Sequence, residues 1–74
     1  MDTIGTRAYK EISKRAFKKG IAPYKQAEEI KVSSTMLTTW HRGKLNPSGR
    51  VLQKMALAGY DVMYILTGER KDNG

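Results

Sequence analysis

Cysteine is absent from this 74-residue sequence, which excludes disulfide bonds and thiolate metal sites. A core must therefore come from packed side chains or from a partner subunit. No segment approaches the ~20 consecutive apolar residues that span a bilayer, and the N-terminus lacks the apolar run of a secretory signal. A chain of this length forms one small domain, which we expect to lie in the cytoplasm with no membrane partner.

Residue types that carry enzyme chemistry are equally scarce. His41 is the only histidine, and the only adjacent carboxylates, Glu28 and Glu29, face different sides of a helix. The phosphate-binding patterns GxxxxGK[ST] and GxGxxG do not occur. Because a metal site needs several ligands, His41 is better interpreted as a solvated or phosphate-facing side chain. We expect no enzyme activity, no cofactor, no metal and no small-molecule substrate.

Acidic residues are few: 7 Asp and Glu stand against 14 Lys and Arg, which gives a net charge of +7. Such an excess favours an anionic partner, and nucleic acid is the commonest one. A basic amphipathic helix can also lie on an anionic membrane surface. That alternative applies only to the first twenty residues.

The periodicity of the apolar residues predicts helices and no strand. We expect five helices, over residues 7–19, about 22–30, about 33–42, about 48–58 and about 61–67. Thr6 is the expected N-cap of the first helix, Gly20 its left-handed C-cap, Ser33 or Ser34 the N-cap of the third, and Asp61 and Gly68 the N-cap and C-cap of the fifth. In the second helix, Tyr24, Ala27 and Ile30 are expected to face inward. The prediction is an all-α domain over residues 1–68, followed by a flexible polar tail over residues 69–74.

The stretch from Ala27 to Gly43 predicts a short helix, a tight turn and a second helix that ends at a glycine. Leu37 and Trp40 lie three residues apart and are expected to face the core. Two helices joined by so few residues form a helix-turn-helix, whose second helix enters the DNA major groove. Lys31 falls where such turns usually have glycine in the left-handed conformation, which costs lysine roughly 1 kcal/mol or more. The turn is therefore either rearranged at this position or tolerates the strain.

The outer face of the second helix carries small hydroxyl side chains, those of Ser34, Thr35, Thr38 and Thr39. Such a hydroxyl can bond a donor or an acceptor on a base edge, and a threonine methyl can contact the thymine methyl. Each residue taken singly is equally well a polar surface residue. Cations at both ends of the helix, Lys31 before it and Arg42 and Lys44 after it, favour the DNA interpretation, with the first-turn N–H groups as a further phosphate site.

Residues along this stretch also carry a family resemblance. Ala27, Ile30, Val32, Ser33, Leu37, Trp40, Arg42 and Gly43 resemble the helix-turn-helix of the phage lambda repressor and Cro family. The second half is most similar to the phage CI-type repressor domains, through Trp40-His41-Arg42-Gly43, Pro47 and the ending Gly59-Tyr60-Asp61-Val62-Met63-Tyr64-Ile65-Leu66-Thr67-Gly68. The sequence departs from the family at Lys31, and at Pro23 and Tyr24, where an early glutamine is frequent.

The resemblance implies a compact five-helix lambda-repressor-like domain that binds operator DNA, usually as a two-fold dimer on a palindrome. The residues that match base-reading positions of the family are Ser34, Thr35, Thr38 and Thr39. Those that match phosphate-contacting positions are Ser33, Arg42 and Lys44. We expect Lys31 to contact a phosphate as well. Many family repressors also carry a C-terminal oligomerisation or self-cleavage domain, of which these 74 residues show no part. We therefore expect a short Cro-like regulator or an excised DNA-binding domain.

Two functions follow as hypotheses. The first is a sequence-specific double-stranded DNA-binding transcriptional regulator, a phage or prophage repressor or Cro-like protein in the bacterial host cytoplasm. The alternative is a protein-interaction module with the same fold, such as an antirepressor or an antitoxin-like partner. A homodimer is expected at least on DNA. Met55, Met63 and Tyr64 form a possible apolar dimer patch, or alternatively complete a monomeric core.

Overall fold

The computed structural model describes residues 2–70. They form five α-helices and a 3₁₀ turn between the second and the third: α1 Ile4–Lys19, α2 Pro23–Ala27, the turn Glu28–Ile30, α3 Ser34–His41, α4 Gly49–Leu57 and α5 Val62–Thr67. No strand occurs in this part of the chain. The prediction of an all-α domain with five helices is therefore confirmed.

α1 begins three residues before the predicted start. Thr3 is its N-cap: the Thr3 hydroxyl accepts from the Thr6 N–H at 3.0 Å, and the Thr6 hydroxyl accepts from the Thr3 N–H at 2.7 Å. This reciprocal capping box places Thr6 inside the first turn, so the prediction of Thr6 as the N-cap was wrong. The far end is as predicted, because Gly20 is left-handed and the Ile21 N–H bonds to the Ala16 carbonyl at 3.0 Å.

Every α-helix contributes side chains to the hydrophobic core. Its buried members are Ala8, Ile12, Ala27, Ile30, Val32, Leu37, Trp40, Met55, Tyr60 and Ile65. Trp40 and Leu37 are buried as predicted, whereas Tyr24, which we expected to face inward, is half exposed. The 3₁₀ turn tightens the chain after α2. Ala27 is buried as predicted, and Gln26 faces the core in place of Tyr24.

The predicted flexible tail divides into two parts. Arg70 lies within the described residues and bonds to Glu11 at 3.0 Å and to Asp61 at 3.1 Å. The guanidinium group of Arg70 also lies 4.1 Å from the centre of the Tyr64 ring. The remainder of the predicted tail, residues 71–74, lies outside the described residues.

Lys31 adopts the left-handed conformation, with φ 58° and ψ 42°, so the turn is not rearranged and lysine occupies the place of the usual glycine. Its N–H bonds to the Glu28 carbonyl at 3.0 Å, and the next N–H, of Val32, bonds to the Ala27 carbonyl at 3.1 Å. This is a Schellman motif in which lysine occupies the position that favours glycine. Among residues 2–70, Lys31 is the only non-glycine residue with a positive φ.

Replacing Lys31 by glycine is expected to stabilise the domain by roughly 1 kcal/mol, because glycine has no Cβ to strain in this conformation. The melting temperature should rise by about 4–8 °C, measured by circular dichroism. Lys31→Ala is the matched control, since it removes the same charge and keeps the Cβ. Equal stability of the two variants would show that backbone strain at this position is negligible.

Candidate nucleic-acid interface

One face of α3 packs against the core, and the opposite face is exposed to solvent. Leu37 and Trp40 are 4% and 1% exposed, and they pack this helix against the core. Ser33 is the N-cap, and its hydroxyl accepts from the Met36 N–H at 3.1 Å. Since the first N–H groups of a helix have no intrahelical partner, this end of α3 keeps backbone donors that can meet a phosphate.

The four predicted base-reading residues lie together on the free face of α3. Ser34, Thr35 and Thr38 are exposed, and Thr39 is partly exposed. Their spacing places all four on adjacent turns of one helix face. The Thr38 hydroxyl donates to the Ser34 carbonyl and the Thr39 hydroxyl donates to the Thr35 carbonyl, both at 2.9 Å. The face therefore presents small, ordered side chains without a charge.

The predicted phosphate-side cations stand at the two ends of α3. Lys31 precedes the helix, and Arg42 and Lys44 follow it, all three with exposed side chains. The left-handed Gly43 ends α3, and the Lys44 N–H bonds back to the Thr39 carbonyl at 3.1 Å. This second Schellman motif fixes the direction in which the chain leaves α3, and with it the position of Lys44.

The cations around α3 have no carboxylate partner among residues 2–70. Between Ile30 and Tyr60 the sequence contains five cations and no acidic residue. These cations are Lys31, Arg42, Lys44, Arg50 and Lys54, and none of them forms an ion pair with another of residues 2–70. The potential around α3 is therefore positive.

Ion pairs are instead concentrated on α1 and its neighbours. Glu11 pairs with Lys14 and Arg70, and Glu29 pairs with Arg15 and Lys19. Asp2 pairs with Arg7 at 2.9 Å, and Asp61 pairs with Arg70 at 3.1 Å. Four of the six cations of α1 thus have a carboxylate partner within residues 2–70, whereas none of the five cations around α3 has one.

The loop after α3 is held against the start of α1. The Gly5 N–H donates to the Asn46 side-chain oxygen at 2.9 Å. A Cβ on Gly5 would overlap the carbonyl oxygen of Leu45 and would lie 3.3 Å from the Trp40 Cα. Because backbone meets backbone here, α1 fixes the loop that carries Lys44.

His41 has an exposed side chain at the end of α3, as predicted. Its ring stacks on Tyr9 of α1 with the ring centroids 4.0 Å apart and the planes parallel. Within residues 2–70, no group of three or more His, Asp or Glu side chains is placed to hold a metal ion. The stack ties the end of α3 to α1.

Of the two interpretations of Met55, an exposed dimer patch or a place in the core, the structure supports the core. Met55 is fully buried, because it lies on the inner stripe of α4 one turn after Val51 and Leu52. Met63 is 67% exposed, and Tyr64 is partly buried against the core. The most exposed apolar side chains of α4 and α5 are Leu57 and Met63.

Gln26 is a structural residue that the sequence analysis missed. It is 2% exposed, and its amide donates to the Tyr60 hydroxyl at 3.1 Å and to the Glu29 carboxylate at 3.3 Å. The Arg15 guanidinium lies 3.6 Å from the centre of the Tyr60 ring, and burial raises the pKa of the Tyr60 hydroxyl. This network joins α2 to α1 and to the α4–α5 loop, and no local pattern in the sequence indicates it.

None of the helices within residues 2–70 combines the length and the apolar character that crossing a membrane requires. Comparison of the chain with protein-family models, curated proteins and solved structures finds no match. The functional argument therefore rests on the surface around α3.

Proposed function

We propose that this chain is a sequence-specific double-stranded DNA-binding transcriptional regulator of the lambda-repressor and Cro type, acting in a bacterial cytoplasm. One observation carries the proposal: an uncharged hydroxyl face on α3 stands between exposed cations that have no partner within residues 2–70. Occupation of an operator would block access to a promoter, which makes the protein a repressor.

The dimensions of α3 support this function. It has eight residues, and an α-helix with its side chains is about 10–12 Å in diameter, which fits the major groove of B-DNA, about 12 Å wide. A helix of this length within the groove brings Lys31 at one end, and Arg42 and Lys44 at the other, close to the phosphates that border the groove. Phosphate contacts position the protein, and the hydroxyl face then meets the base edges.

The composition of the exposed face of α3 indicates how much of the affinity for DNA comes from base contacts and how much from the DNA backbone. The exposed residues from Ser34 to Thr39 include no Arg, Asn or Gln, the side chains that make bidentate contacts with bases. Phosphate contacts and DNA shape therefore contribute much of the binding free energy. A homodimer on a palindromic site would double those contacts, and the exposed Leu57 and Met63 offer it an apolar surface.

A binding titration against random-sequence and genomic duplexes tests the proposal. Neutralising three to five phosphates per chain should weaken binding on the order of 10²-fold between about 50 and 200 mM salt. A few genomic fragments should be retained at the higher salt. Absence of binding even at low salt would overturn the proposal and favour a protein-interaction module.

Charge reversal locates the interface in the same assay. The double variant Arg42→Glu, Lys44→Glu should lose most of its affinity and reduce the salt dependence, because it places anions beside phosphates. Lys10→Glu with Lys18→Glu is the matched control, with the same change in net charge on exposed positions of α1 that, like Arg42 and Lys44, form no ion pair within residues 2–70. Equal losses in the two variants would indicate that binding depends on net charge alone.

A further inference from the structure

We infer that the second turn of α3 reads thymine methyl groups and base N–H donors, and discriminates against guanine. The inference rests on the proposed function and concerns Thr38 and Thr39. Each hydroxyl donates its proton to a carbonyl one turn earlier in the helix, at 2.9 Å. A threonine hydroxyl has one proton, so as long as these two bonds are kept the oxygens meet a ligand as acceptors.

Acceptor-only side chains distinguish the bases in the major groove. Guanine presents two acceptors there, N7 and O6, and requires a donor from the protein. Adenine N6 and cytosine N4 are donors, and thymine carries the C5 methyl group. A threonine whose oxygen accepts from adenine N6 and whose methyl contacts thymine uses both groups on an A·T pair. Guanine in place of that adenine presents only acceptors, because the donor of a G·C pair, cytosine N4, lies on the other base.

The first turn of α3 differs from the second. No such bond to the described residues holds the hydroxyls of Ser34 and Thr35, so these two can donate or accept. Met36, between the two turns, is 40% exposed and contributes only apolar surface. The exposed cations Arg42 and Lys44 follow the helix and do not belong to the second turn. Selection against guanine should therefore be confined to the base pairs that face Thr38 and Thr39.

Back-bonding of threonine to its own helix is common and need not concern a ligand. Thr67 of α5 provides the internal comparison: its hydroxyl donates to the Met63 carbonyl at 2.7 Å, and its side chain is exposed. Thr67 thus has the same local bond outside the proposed interface. An effect seen at Thr38 and Thr39 and not at Thr67 must arise from contact with DNA.

The test begins with selection of bound sequences from a random duplex library, using the full chain. Each thymine of the selected site is then replaced by deoxyuridine, which keeps the base pair and removes the methyl group. Affinity should fall about fourfold at the thymines that face Thr38 or Thr39, as expected for one buried methyl group. Changing such a T·A pair to C·G should also weaken binding. Replacing that cytosine by 5-methylcytosine should then raise the affinity again by about fourfold.

Serine variants assign the methyl contact to the protein. Thr38→Ser and Thr39→Ser keep the hydroxyl and remove the methyl, so the affinity ratio between thymine and deoxyuridine should fall from about four to about one. Thr67→Ser should leave that ratio unchanged. Thermal unfolding of the three variants confirms that each is folded at the assay temperature.

The outcomes separate this inference from the proposed function. A library that yields no enriched sequence would overturn the proposed function and the inference together. An enriched site that lacks T·A pairs, or that binds equally well with deoxyuridine at every thymine, would overturn the inference and leave a sequence-specific regulator.

Discussion

Replacement of Gly5 by alanine is expected to destabilise the domain by about 2–3 kcal/mol and to lower its melting temperature by roughly 10–20 °C. The backbone of Gly5 is helical, so the cost arises from space and not from conformation. An added methyl group would overlap the Leu45 carbonyl oxygen and press on the Trp40 backbone, and neither can rotate away as a side chain does. The start of α1 must then separate from the α3–α4 loop.

Gly49 supplies the matched control for this substitution. It is the first residue of α4, and nothing lies within 4 Å of a Cβ added there. Gly49→Ala should be neutral or should stabilise the domain by about 0.4–1 kcal/mol. Urea unfolding followed by circular dichroism measures both variants. A Gly5→Ala protein as stable as the parent would mean that α1 and the loop are not packed this closely.

The Gly5 contact also has a consequence for the interface, because the displaced loop carries Lys44. The folded fraction of a Gly5→Ala protein should bind random duplex DNA more weakly than the parent. Gly49→Ala, which leaves the loop in place, should bind as the parent does. This difference would connect packing at the start of α1 with the surface around α3.

Local signals in the sequence predicted most of the helix ends. Ser33 and Asp61 cap their helices through hydroxyl and carboxylate acceptors, and Gly20, Gly43 and Gly68 are left-handed where helices end. Each of these signals acts over a few residues. The sequence does not identify Thr3 as an N-cap, because its partner in the capping box is a threonine, where a glutamate or glutamine is usual.

Contacts between distant residues account for what the sequence could not predict. Gln26 bonds to a residue 34 positions away, and Gly5 bonds to Asn46 across 41 positions. The sequence pattern around Met55 is compatible both with a core position and with an exposed interface. The full burial of Met55 in the structure places it in the core. For Thr38 and Thr39 the sequence gives the residue type, and the structure adds the direction of the hydroxyl proton.

Arg7 carries another long-range contact, and Arg7→Met is expected to destabilise the domain by about 3 kcal/mol. The side chain is 10% exposed. Its Nε donates to the Ile65 carbonyl at 2.9 Å, and one Nη donates to the Leu66 carbonyl at 3.2 Å. Since the last carbonyls of a helix have no intrahelical partner, an arginine of α1 completes the C-terminal end of α5. Methionine fills a similar length and leaves these carbonyls without their donor.

Two companion variants separate the carbonyl bonds of Arg7 from its ion pair. Asp2→Asn removes only the pair with Asp2, whose side chain is 67% exposed, and should cost less than about 1 kcal/mol. Arg7→Lys keeps the charge and loses the planar fork that reaches two carbonyls, so its cost should lie between the other two. Hydrogen exchange should show the α5 amides opening first in Arg7→Met. If Asp2→Asn destabilises the domain as much as Arg7→Met, the loss in Arg7→Met arises from the ion pair with Asp2 and not from the capping of α5.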